Sequence, residues 1–109
     1  MDTLSAAERI LTVIRAIPIG ETAAYGIVAQ RAGLPGRARM VARLLSQNDD
    51  PALPWHRVLR SDGRSAFPPG SPHQQEQLKR LRREGAQIDK HGRVRPAKRV
   101  KSLDEEVWG

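Results

Sequence analysis

The sequence contains no cysteine. That absence excludes disulfides, thiolate metal centres and thiol nucleophiles together. Aromatic residues are scarce: Tyr25, Trp55, Phe67 and Trp108 are the only ones in 109 residues. The core must therefore be built mainly from Leu, Ile, Val and Ala, and each aromatic becomes informative on its own. No apolar run approaches the roughly 18 residues of a membrane helix. The N-terminus passes from Asp2 directly into a helical pattern, unlike a signal peptide. An intracellular, cytoplasmic protein without a membrane partner is expected. Acidic residues are also in deficit, with 12 Asp and Glu against 19 Lys and Arg, for a net charge of +7.

The length fits one domain spanning residues 1–109. Its charge surplus is uneven: residues 1–50 carry six basic against five acidic side chains, whereas residues 51–109 carry thirteen against seven. A small basic domain most often meets a polyanion, and nucleic acid is the leading candidate. The plainer reading is a solubilising surface.

Leu4, Ala7, Leu11 and Ile14 recur at helical spacing, joined by Ile10, Val13 and Ile17, which predicts a helix from Ser5 to Ala16. Pro18 ends it. Thr22 is a candidate N-cap for a second helix over 23–32, with Ala24, Ile27, Val28 and Arg31 on one face and Gly33 at the stop. Leu34-Pro35-Gly36 makes a turn. A third helix over 37–47 has Ala38, Val41, Ala42 and Leu45 on its apolar side and Arg37, Arg39 and Arg43 on its polar side. Two short helices joined by a glycine-containing turn form a helix-turn-helix, whose second helix meets DNA through its N-terminal residues. The arginines read alternatively as a solvated face.

Beyond Asn48-Asp49-Asp50-Pro51, the stretch Pro54-Trp55-His56-Arg57-Val58 leads into a short strand over 56–60. A loop from Phe67 to Pro72 follows. A fourth helix runs to Glu84, with Leu78 and Leu81 inward and Lys79, Arg80, Arg82 and Arg83 outward, and Gly85 stops it. Residues 86–95 form a small hairpin. The fold class is mainly α: a small helix-turn-helix, winged-helix-like DNA-binding domain with short β elements.

Ile17-Pro18-Ile19-Gly20-Glu21, Tyr25-Gly26, Arg37-Ala38-Arg39-Met40-Val41, Asn48 and Pro54-Trp55-His56-Arg57-Val58 together resemble the DNA-binding domain of the O6-alkylguanine-DNA alkyltransferases. In that family the central motif is Pro-Cys-His-Arg-Val, and the cysteine accepts the alkyl group. Trp55 stands in its place, as in the alkyltransferase-like proteins. The resemblance implies that O6-alkylguanine in double-stranded DNA is bound without alkyl removal and flagged to nucleotide excision repair proteins. It implies that Tyr25 presses on the phosphate 3′ to the lesion, Arg39 fills the gap left by a flipped base, and Asn48 braces the loop that carries Trp55. His56 and Glu84 become the remnant of a base relay. The helix-turn-helix is expected in the minor groove, where little sequence is read. The DNA- and lesion-binding set is Tyr25, Arg37, Arg39, Asn48, Pro54, Trp55, His56, Arg57 and Arg64, with Glu84 as pocket support. Phe67-Pro68-Pro69-Gly70 lacks the family's Tyr-Ser pair, which leaves Arg64 or Phe67 as the far wall.

The chemistry points the same way. Alkyl transfer needs an activated thiolate, and an indole is a poor nucleophile. An indole can instead receive an extruded base, with stacking worth roughly 1–3 kcal/mol. Not an enzyme, without cofactor or metal, and monomeric: this is the expectation. The alternatives are a helix-turn-helix transcriptional regulator, which usually needs a dimerisation element, and a hydrolase using His56 and Glu84.

Overall fold

Ser5 opens the first helix by accepting a hydrogen bond from the Glu8 amide at 3.1 Å, an N-cap that satisfies one of the free donors of the first turn. In the computed structural model, which describes residues 4–97, α1 spans Ala6–Arg15. Ile10, Ile14 and Ile17 are buried, and Leu11 and Val13 pack against them. Leu4 lies ahead of the cap and is 51% exposed, so the apolar repeat begins one step later than its spacing suggests.

The second helix departs from expectation at its start. Ala23 and Ala24 are not helical; they form β1, which pairs in parallel with β2 (Val58–Leu59) in the register Ala23↔Val58 and Ala24↔Leu59. α2 therefore spans Tyr25–Arg31 with Ala24 at the N-cap position, and Thr22 does not cap it. A pairing between segments so far apart in the chain overrides local capping preference. The buried face of α2 is Val28, Ala29 and Ala32, whereas Ile27 is 41% exposed and Arg31 faces solvent. The small side chains at 29 and 32 let α2 lie between α1 and α3 (Ala38–Ser46). Gly33, at φ 78°, ends α2 with the Leu34 amide donating to the Ala29 carbonyl at 2.8 Å, the left-handed stop that glycine favours. In α3 Val41 is buried, Leu44 and Leu45 are partly so, and Ala42 is exposed.

After a single 3-10 turn, Trp55–Arg57, the chain enters β2; the anticipated strand over 56–60 is thus half turn. α4 spans Pro72–Arg83, capped by the Ser71 hydroxyl accepting from the Gln74 amide. The hairpin is present as β3 (Gln87–Ile88) and β4 (Val94–Arg95), antiparallel. Its Val94 amide donates to the Gly63 carbonyl at 2.9 Å. Leu59, Leu81 and Val94 form a small second core beside the main one. The architecture is mainly helical with two minimal sheets, as expected. Trp108 and the charged tail from Lys98 onward lie outside the described residues. Among the described residues, no helix is long and apolar enough to cross a membrane.

Gln77 is fully buried. Its Nε2 donates to the carbonyls of Val58 (2.9 Å) and His56 (3.3 Å), and its Oε1 accepts from the Ser65 hydroxyl at 2.6 Å. One amide thus ties α4 to the Trp55 turn and to the following loop. Replacing Gln77 with Leu strands these partners in the interior and is expected to cost about 1–3 kcal/mol, read as a lowered urea midpoint with unchanged slope.

Candidate nucleic-acid interface

The interface is built around the turn Trp55–Arg57 and the end of α4. Pro54 is buried beneath the turn, and the Arg57 amide closes it on the Pro54 carbonyl at 3.1 Å. The turn directs three successive side chains to three tasks. Arg57 donates from Nε and Nη2 to the two carboxylate oxygens of Glu84 at 2.9 and 2.8 Å, and from Nη1 to the Ile17 carbonyl at 2.8 Å. His56 Nε2 meets Glu84 Oε2 at 2.8 Å. Because that oxygen belongs to a carboxylate, Nε2 is the protonated nitrogen, and the buried Nδ1 has no hydrogen-bond partner among the described residues. Trp55 turns the other way, toward a cavity.

Glu84 occupies the C-cap of α4, where the helix dipole disfavours a carboxylate. Two strong donors reverse that preference. The paired Arg57 guanidinium, followed by His56, holds the Glu84 carboxyl down from 4.5 to about 2 against the opposing pull of burial.

A cavity of about 370 Å³ is lined by Tyr25, Leu45, Ser46, Asn48, Trp55, Phe67 and His73, within the range typical of small-molecule sites. Its walls are largely aromatic. Trp55 meets Phe67 edge to face with centroids 5.8 Å apart, and Phe67 stacks on His73 at 5.2 Å. Burial raises the Tyr25 phenol above its ordinary 10, so it remains an uncharged donor at neutral pH. Asn48 braces the rim locally: its side-chain oxygen accepts from the Asp50 amide and its amide donates to the Asp50 carbonyl.

Tyr25 also borders a shallower groove with Gly26, Ala38, Arg39, Ala42, Arg60, Ser61 and Ala66. Arg39, exposed on the first turn of α3, therefore stands one residue away from the aromatic cavity. Arg37 is exposed just before α3 begins. Arg64 lies elsewhere, in a third concavity with Lys90 and His91; it does not line the Trp55 cavity, and Phe67 does. The reason is the Gly63 turn, φ 81°, which sends residue 64 outward, while Ser65 anchors on Gln77 and brings residue 67 back in. Each nitrogen of the Arg57 guanidinium is engaged by Glu84 or Ile17, which makes it a strut of the site. His73 and Arg80 escaped the hydropathy pattern. Their signal was helical spacing: His73, Gln77, Arg80 and Glu84 recur at i, i+4, i+7 and i+11, one polar stripe along α4.

A helix pair with exposed arginines beside an aromatic cavity defines a class of DNA-handling domain. Residues 5–86 match the family described as 6-O-methylguanine DNA methyltransferase, DNA binding domain, and the chain belongs to that family. Among relatives, it is 34% identical over 87 residues to a DNA base-flipping protein of Vibrio parahaemolyticus, covering 79% of this chain and 85% of that one. It is 36% identical over 73 residues to alkyltransferase-like protein 1 of Schizosaccharomyces pombe, covering 66% and 68%. The fold matches S. pombe Atl1, solved in complex with damaged DNA containing O6-carboxymethylguanine, with a TM-score of 0.71 at 27% identity across 100% of this chain and 99% of that one.

Glu84 makes the site acid-sensitive. A carboxyl whose pKa is lowered on folding contributes stability that is complete above its unfolded value and is lost as pH falls through the folded value. Stability is therefore expected to decline between pH 4.5 and about 2. Glu84→Gln should be less stable at neutral pH and show a flatter decline over that window, measured by urea titration at each pH.

Proposed function

We propose that this protein is a non-enzymatic sensor of O6-alkylguanine in double-stranded DNA, binding the lesion by flipping the nucleotide into the Trp55 cavity. The observation that carries this reading is Trp55 itself. The His56–Arg57–Glu84 scaffold around it is intact, but the residue it presents is an indole, and the sequence holds no cysteine anywhere. An indole does not accept an alkyl group, yet it offers an apolar wall to one.

The family resemblance implies the roles, and the placement of the residues supports them. Tyr25, between cavity and groove, presses on the backbone beside the lesion as an uncharged donor. Arg39 fills the stack left by the flipped base, where a planar guanidinium can stack and donate at once. Arg37 and Arg64 contact phosphates on either side. Pro54, His56, Arg57 and Asn48 hold the cavity in shape. Flipping costs a few kcal/mol, least for a damaged base, and aromatic stacking offsets part of it. Because the adduct stays on the base, excision belongs to other proteins, and nucleotide excision repair is the matching pathway. The protein acts inside the cell, as a monomer, on DNA.

Gel shifts with matched duplexes containing guanine or O6-methylguanine test this directly. Preference for the lesion with the adduct recovered intact is the expected result; equal affinity for both duplexes would sink the proposal, and loss of the methyl group would make the protein an enzyme. Arg39→Ala is expected to weaken lesion binding by about 1.5–3 kcal/mol, the scale of charged hydrogen bonds. An effect limited to a salt slope smaller by about one would assign Arg39 to a phosphate.

A further inference from the structure

A cation of α4 stands over the Trp55 ring. Arg80 Cζ lies 5.2 Å from the centroid of the Trp55 ring. Arg80 is half-buried, and its Nε is paired with Glu76 one turn earlier at 3.5 Å. It does not line the aromatic cavity, whereas Trp55 does. The indole is thus engaged by the Arg80 guanidinium and met edge to face by Phe67 at 5.8 Å and by His56 at 6.1 Å, while it also lines the cavity.

We propose that Arg80 is a positioning residue for lesion recognition, locking the Trp55 ring so that its cavity side is presented before DNA arrives. The proposal rests on the reading of this cavity as the lesion pocket. A large apolar ring on the wall of a solvent-accessible cavity can gain by turning to bury more of its surface, since burying apolar surface is favourable. A cation held over the ring resists that movement, because leaving it forfeits the contact, and a partly desolvated cation–π contact is stronger than an exposed one. The Glu76 pair restricts where the guanidinium can go. A ring fixed in its binding pose need not be ordered at the moment of binding, which is the usual gain from preorganisation.

The test uses the full chain with Trp108→Phe, so that Trp55 is the only fluorophore of its kind. Lesion preference is the ratio of Kd values for guanine and O6-methylguanine duplexes. Arg80→Met keeps the stem and removes the charge. It is expected to reduce the preference about five- to tenfold, the scale of a partly buried cation–π contact. Its affinity and salt slope on undamaged duplex should be unchanged, and Trp55 should become more accessible to acrylamide quenching. Arg80→Lys should recover part of the preference, and Glu76→Gln should produce a smaller loss in the same direction without altering the residue over the ring. Equal weakening on both duplexes with a reduced salt slope would make Arg80 a phosphate contact and overturn the proposal, as would full preference in Arg80→Met. If the Trp108→Phe protein shows no lesion preference at all, the pocket reading itself fails; if it does and Arg80→Met matches it, only the role of Arg80 fails.

Discussion

One carboxylate holds the site together. Glu84 accepts from Arg57 on both oxygens and from His56 on one, while the far side of Arg57 reaches the Ile17 carbonyl at the end of α1. The end of one helix, the turn that carries Trp55 and the exit of another helix therefore meet at a single charged knot. Its members are largely sequestered, with side-chain exposures of 9% for His56, 12% for Arg57 and 16% for Glu84. In such a setting the pair is held by its full complement of bonds rather than by bare attraction, because losing one partner strands the others. The knot does not depend on which residue stands at 55. A thiol or an indole could be presented from the same frame, and this chain presents the indole.

That independence explains which parts were legible in the sequence. The helices, the glycine stops at 33 and 85 and the hairpin follow from local pattern: apolar spacing and left-handed caps are printed in consecutive residues. β1 is different. Ala23 and Ala24 are extended only because Val58 and Leu59 pair with them, and no local signal announces a partner so distant. The same holds for the inner face of α2, where Ile27 yields to Ala29 because close helix approach favours the smaller side chain. Leu78 and Leu81 mark the core side of α4, but hydropathy passes over His73, Gln77, Arg80 and Glu84. These four polar residues line the side that faces the site, and a fully buried glutamine in a run of glutamines has no hydropathic signature. The family pattern pointed to Tyr25, Trp55 and Glu84 but left the far wall open between Arg64 and Phe67, because the loop after Gly63 departs from that pattern; Phe67 lines the cavity.

The scarcity of aromatics now has a physical meaning. The core is aliphatic, as Ile10, Ile14, Val28, Val41, Leu53 and Val58 show. Tyr25, Trp55 and Phe67 are instead gathered at one cavity. Aromatic faces stack on any base, so concentrating them there builds the wall that the proposed lesion pocket requires. Ser46, Asn48 and His73 add polar atoms to the same lining. A core built on aromatics would have left nothing in this sequence to line the cavity.

Tyr25 couples this cavity to the helix pair. It is the first residue of α2 and follows β1 directly, while β2 follows directly from the Trp55 turn. The two-residue pairing Ala23↔Val58 and Ala24↔Leu59 therefore sets the distance between the phenol and the indole. Side chains alternate across a strand, so a slip of one residue would turn the neighbouring side chains to the opposite face. The same pairing sets where α2 begins and, through the Gly33 stop, where α3 and Arg39 stand. A backbone link of two residues on each side thus joins the groove beside Arg39 to the aromatic cavity, the two sites proposed to meet the duplex and receive a base. Lesion recognition by flipping requires both to act on one nucleotide, and the geometry that unites them is this short parallel ladder.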